Sequence, residues 1–139
     1  MANKRLKAMT LIELLIVMTI ISIITSVAYP SFKRQSIKAK RMVALADLSR
    51  MQLYLENSYN QDANQDYSVA KQSVISAANC LVCQSNTQHY RFSVVITADG
   101  YTLMALPLNQ QQDDPCLNTP TDTLSLNQAG VAQPSTCWY

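Results

Sequence analysis

An α+β fold is predicted for this 139-residue chain, with one long N-terminal helix packed on a small antiparallel sheet of three or four strands. Three observations carry that prediction. Residues 9–29 form an apolar run with a single charge, Glu13, and a helical stripe of apolar positions continues beyond it. Residues 90–106 alternate apolar and polar positions around an Asp-Gly pair. Four cysteines, all after residue 79, offer staples to a globular part of only about 80 residues.

As a helix rising about 1.5 Å per residue, the run 9–29 spans roughly 30 Å, the thickness of a bilayer's hydrocarbon core. A carboxylate in that medium costs about 2.5–3.5 kcal/mol, so Glu13 is expected to serve a function. The bland alternative is a side chain that reaches the membrane surface from an ordinary anchor. Before the span, residues 1–8 are short and basic, and no small-residue cleavage site follows it. Any processing is therefore predicted ahead of the span, at the junction of Lys7, Ala8 and Met9.

The run Lys7-Ala8-Met9-Thr10-Leu11-Ile12-Glu13 resembles the type III signal of type IV pilins and pseudopilins, usually Lys-Gly-Phe-Thr-Leu-Ile-Glu. Pro30 stands where that family carries a helix-kinking proline. Two positions depart from the usual form, Ala8 for glycine and Met9 for phenylalanine, and both bear on how efficiently the chain is cut. The resemblance implies a cleaved leader at 1–8, a transmembrane and filament-core helix at 9–29, an amphipathic half at 30–59 and a globular head at 60–139. It also implies cleavage by a prepilin peptidase between Ala8 and Met9, N-methylation of Met9, and a meeting of Glu13 with the new amine of a neighbouring subunit. An opposite charge brought in by another chain would relieve the buried carboxylate and fix the register between subunits.

Charge is distributed unevenly. Nine of the eleven basic residues precede residue 60, whereas Lys71 and Arg91 face six aspartates after it, a balance of −4 for the downstream part. Positive-inside counting favours the end carrying Lys33, Arg34, Lys38, Lys40 and Arg41 over the leader with Lys4, Arg5 and Lys7. The downstream cysteines require an oxidising side and the leader resembles one processed in the cytoplasm, so the opposite orientation is expected. The cluster from Lys33 to Arg41 is then a solvated helix face at the lipid head groups, or one that meets acidic surfaces of neighbouring subunits.

Beyond Pro30, where a bend or loosened turn is expected, Ile37, Ala44, Leu48, Met51 and Leu55 draw one stripe that should pack on the head. Residues 57–89 show no period and read as a long connection with a short helix near 69–78. Strands are predicted at 90–96 and 101–106, joined through Asp99-Gly100, and a third at 123–126 ahead of Ala129-Gly130. The pattern Tyr101 to Pro107, Asp113-Asp114-Pro115-Cys116, 124–130 and Cys137-Trp138 resembles the heads of PilE-type minor pilins and the related ComP-type DNA-uptake pilins. That likeness implies the ladle-shaped pilin fold.

Four cysteines can pair in three ways, of which Cys116 with Cys137 and Cys80 with Cys83 is favoured. A zinc site from Cys80, Cys83, His89 and a later cysteine is the sharper alternative, disfavoured by the compartment and by the missing second ligand pair. His89 is expected at the surface or at a strand edge, and Asp113-Asp114 in a turn rather than a calcium loop. No glycine-rich phosphate loop or paired catalytic carboxylates are evident, so neither catalysis nor a cofactor is expected.

The leading function is a structural minor pilin, held in the inner membrane with its head in the periplasm and then assembled into an extracellular pilus. The resemblance implies as partners other pilin subunits, the prepilin peptidase, an inner-membrane assembly platform and, before assembly, membrane lipid. Pilus assembly, twitching motility, adhesion and DNA uptake are the implied roles. A ComP-like DNA-binding head is the alternative, not favoured because a −4 head repels phosphates at long range. A pseudopilin of a type II secretion system is the other.

Overall fold

The computed structural model describes residues 9–77, 79–98 and 100–138, which divide into two compact units, one ending at Gln35 and the other beginning at Ser36. The leader 1–8, including Ala8, lies outside the described residues, as do Ala78 and Asp99. Helix α1, Leu11–Gln61, begins where apolar periodicity begins and contributes to both units.

Thr10 opens that helix. Its carbonyl accepts from the Glu13 and Leu14 amides at 3.1 and 3.3 Å, and its Oγ1 accepts from the Glu13 amide at 3.4 Å. Thr10-Leu-Ile-Glu13 therefore has the spacing of a helix N-cap as well as that of a processing signal. Through the first unit the side chains of 9–32 are all exposed, an apolar surface that water does not favour. Its hydroxyls are satisfied within the helix. Thr19, Ser22, Thr25 and Ser26 donate to the carbonyls of Ile16, Met18, Ile21 and Ile23 at 2.7 to 2.9 Å, the arrangement a hydrocarbon environment demands. Pro30 lies inside α1, where its missing N–H forfeits the bond to the Ser26 carbonyl.

In the second unit the stripe Ile37, Ala44, Leu48, Met51 and Leu55 is buried, joined by Leu45. It packs on an antiparallel sheet in the order β3, β4, β5, β6, formed by Tyr90–Thr97, Gly100–Pro107, Leu124–Asn127 and Ala132–Gln133. Alternation puts Phe92 opposite Ala105, Val94 opposite Leu103, and Leu103 in turn opposite Leu126, all on the core face. Gly100 leads from β3 into β4 at φ +139°, a backbone conformation that favours glycine, and a Cβ there would displace the end of the Gln128 side chain.

The connection 57–89 is more structured than its composition suggests. The helix expected near 69–78 is instead the short α2, Tyr67–Ala70, continued by one tight turn over Lys71–Ser73. A two-stranded hairpin follows, β1 Ile75–Ser76 with β2 Asn79–Cys80. The shift has local causes. Asp66 caps α2 by accepting from the Ser68 amide at 2.7 Å, and Ala77 takes a positive φ in the turn between β1 and β2.

Candidate functional site

Basic residues of the second unit sort into two groups. Arg41 was expected on the solvated cluster with Lys33 to Lys40, and the structure corrects this. It is 6% exposed, and its Nη1 pairs with the Asp114 Oδ1 at 2.5 Å. The reason lies in its phase: four residues after Ile37 and three before Ala44, Arg41 falls on the buried stripe. Arg50 is likewise engaged, donating to Asp47 at 2.8 Å and to the Val82 carbonyl at 3.3 Å. Lys38 and Arg91 are exposed, whereas Lys40 and Lys71 are half-buried.

The buried carboxylates act as clamps. Asp47 accepts from the Gln84 and Ser85 amides at 2.9 and 2.7 Å and from the Ser85 hydroxyl, which seats the loop after β2 on the helix. Asp114 Oδ1 accepts from the Cys116 amide at 3.1 Å as well as from Arg41. Gln111, fully buried, donates to the Ile37 carbonyl and the Tyr90 hydroxyl. Glu56 accepts from the phenols of Tyr67 and Tyr101 at 3.2 and 2.7 Å, and Tyr59 stacks on Tyr67 at 4.0 Å. Burial first, then Glu56, pushes the Tyr67 phenol up to about 12.

Cys80 is bonded to Cys83 and Cys116 to Cys137, which leaves no thiolate for the zinc alternative. Among the described residues no group of three or more His, Cys, Asp or Glu side chains converges as a metal site. Met9 is 62% exposed at the start of the described chain, and Glu13 is exposed one turn into α1.

The outward face of the sheet mixes polar side chains with Val95, Met104 and Leu106 and is nearly uncharged. Register places Ser93, Met104, Ser125 and Gln133 in one row across the four strands, with Val95, Thr102 and Asn127 in the next. Arg91 stands beside them on β3, at the rim of a cavity of about 400 Å³ that Asn79, Ser85 and Thr87 also line. A second cation, Lys40, lines a separate cavity of about 200 Å³ with Gln88, His89 and Asn109. Arg91 and Lys40 thus each place a positive charge beside hydrogen-bonding side chains on a domain of negative balance. The sequence carried Arg91 in its charge count but had no means of bringing Lys40 to His89, 49 positions apart in the numbering.

Burial, and then the charge of Lys40, holds the His89 imidazole below its ordinary value. A histidine lowered in this way binds its proton less readily in the folded state. Its stabilising contribution is full above about pH 6.5, the unfolded value, and is lost as the pH falls from there through the lowered folded value. His89 is partly exposed, so the effect is small. Melting curves at pH 7.5 and pH 5 should show the wild type losing about 1–2 °C more on acidification than a His89→Asn variant, and equal losses would assign the acid sensitivity elsewhere.

The family model described as type IV minor pilin ComP, DNA uptake sequence receptor, matches residues 30–120. The model of the prokaryotic N-terminal methylation motif matches residues 3–29. No curated protein and no solved structure matches the chain.

Proposed function

Because this chain belongs to the type IV minor pilin family described as ComP, DNA uptake sequence receptor, we propose that it is a filament subunit whose head captures DNA. The observation that carries this reading is the extent of the match. It runs from Pro30 through the amphipathic helix, the connection and the sheet to Pro120, and so covers most of the head as well as part of the tether.

A prepilin signal implies processing by a prepilin peptidase and association with other pilin subunits, and the apolar helix supports membrane anchoring before assembly. Within the proposal, cleavage falls between Ala8 and Met9, Met9 is methylated, and Glu13 and Pro30 serve subunit assembly on the inner-membrane platform. The head waits in the periplasm, where its disulfides are stable. The filament then carries it outside the cell, and its family is structural rather than enzymatic.

The −4 balance that ranked DNA binding second is compatible with capture. Charges beyond about 8–10 Å are largely screened at physiological salt, so contact depends on the local patch rather than the domain average. With Lys38, Lys40 and Arg91 as phosphate contacts, affinity for duplex DNA should fall roughly 40-fold between 50 and 200 mM salt. Arg91→Gln should weaken binding and reduce the log–log salt slope by about one. Fluorescence anisotropy of labelled duplex with the full chain in detergent measures both. Absence of salt-sensitive binding would remove the DNA-capture reading and leave the pilin assignment intact.

A further inference from the structure

The two disulfides sit in different surroundings. Cys116–Cys137 spans 21 positions and ends in Cys137, which is fully buried in the core. Attack on it must either reach that buried sulfur or expel a thiolate there, and an apolar setting disfavours both. Cys80–Cys83 spans 3 positions, and both its cysteines are partly exposed along the wall of the cavity that Arg91 lines. A loop this short constrains the unfolded chain less than the longer one does, so its bond is the weaker structural staple.

The chain around Cys80–Cys83 is also held without it. Leu81 donates its amide to the Val74 carbonyl at 2.9 Å, Arg50 binds the Val82 carbonyl, and Asp47 clamps Gln84 and Ser85. Opening the bond therefore leaves the loop anchored on both sides. Arg91 completes the setting, since a guanidinium beside a disulfide attracts an incoming thiolate and stabilises a departing one.

We propose that Cys80–Cys83 is a thiol–disulfide exchange site whose reaction partner is a dithiol. One thiolate of the dithiol enters the cavity and attacks a sulfur of the pair. The Cys80–Cys83 bond breaks, a mixed disulfide forms, and the other cysteine leaves as a thiolate that takes up a proton. The second thiol of the partner, deprotonated, then attacks the mixed disulfide and departs with the first as a disulfide, releasing the second protein thiolate to be protonated. Two electrons and two protons pass from the dithiol to Cys80 and Cys83, and a disulfide-bearing partner reverses the exchange.

Timed exposure of the full chain in detergent to dithiothreitol, followed by alkylation and peptide mass spectrometry, tests this. Cys80 and Cys83 should become alkylated about ten-fold or more sooner than Cys116 and Cys137, while circular dichroism retains the native signal. At low salt Arg91→Gln should slow that reduction several-fold and Arg91→Lys should restore most of it, a readout that a purely structural hairpin would not move. Equal rates at the two disulfides, unfolding in step with reduction, or indifference to the charge at position 91 would each overturn the proposal.

Discussion

Replacing Arg41 with alanine is expected to destabilise the second unit by about 3–5 kcal/mol, the cost of leaving one member of a buried ion pair without its partner. The side chains of Arg41 and Asp114 are 7% and 1% exposed, so water cannot take over the role of the guanidinium. The aspartate keeps the Cys116 amide, while its Oδ2 has no hydrogen-bond partner among the described residues. Its surroundings also hold Gln111 and the Tyr90 hydroxyl, so the loss should spread through the segment that carries Asp114 into the Cys116–Cys137 staple. Set against the roughly 5–15 kcal/mol that stabilises a typical domain, this is a large share.

Urea unfolding monitored by circular dichroism measures the effect. The paired change Arg41→Met with Asp114→Leu should recover much of the loss, because removing both charges avoids the unpaired carboxylate. Arg41→Lys should recover less, since an ammonium has neither the reach nor the planar donor set of the guanidinium. High salt should leave the wild-type pair nearly unaffected, as expected away from solvent. A loss below about 1 kcal/mol for Arg41→Ala would mean that this pair does not seat the loop.

Arg41 also marks where the sequence stopped being legible. The apolar stripe was readable from its spacing, and the same spacing puts Arg41 on it, but a charge on a buried face does not name its partner. Asp114 lies 73 positions away, and the groups that satisfy Asp47 are backbone amides 37 and 38 positions away. The strands at 90–106 were visible because alternation is a local signal. β6 was not, because Ala132–Gln133 is too short to alternate. The connection 57–89 had no period for a related reason: its course follows from bonds back to α1, such as Tyr67 to Glu56 and Ser58 to Ser73, and from capping and a disulfide. On the functional side, the processing signal was legible because seven adjacent residues carry it. The neighbourhood of Lys40 and His89 was not, since it exists only once the helix meets the sheet.

Glu13→Ala should leave the protein in the membrane at normal or higher levels while its copies in sheared filaments fall about ten-fold or more. The anchor should tolerate the change because its hydroxyls are bonded within the helix and the carboxylate is a strongly polar group that hydrocarbon penalises by about 2.5–3.5 kcal/mol. The helix start should tolerate it as well, since Thr10 accepts from the backbone amide of residue 13, which alanine retains. Assembly is the step expected to suffer. If a neighbouring subunit's Met9 amine relieves Glu13 in the filament, the penalty becomes an attraction available only in the assembled state, and it disappears with the charge. Glu13→Gln keeps the size and hydrogen-bonding capacity without the charge and should behave like alanine, whereas Glu13→Asp, one methylene shorter, should retain partial incorporation. Immunodetection in membrane and filament fractions separates these cases. Normal incorporation of the alanine variant would rule out the inter-subunit role, and normal incorporation of the glutamine variant alone would show that hydrogen bonding rather than charge selects the neighbour.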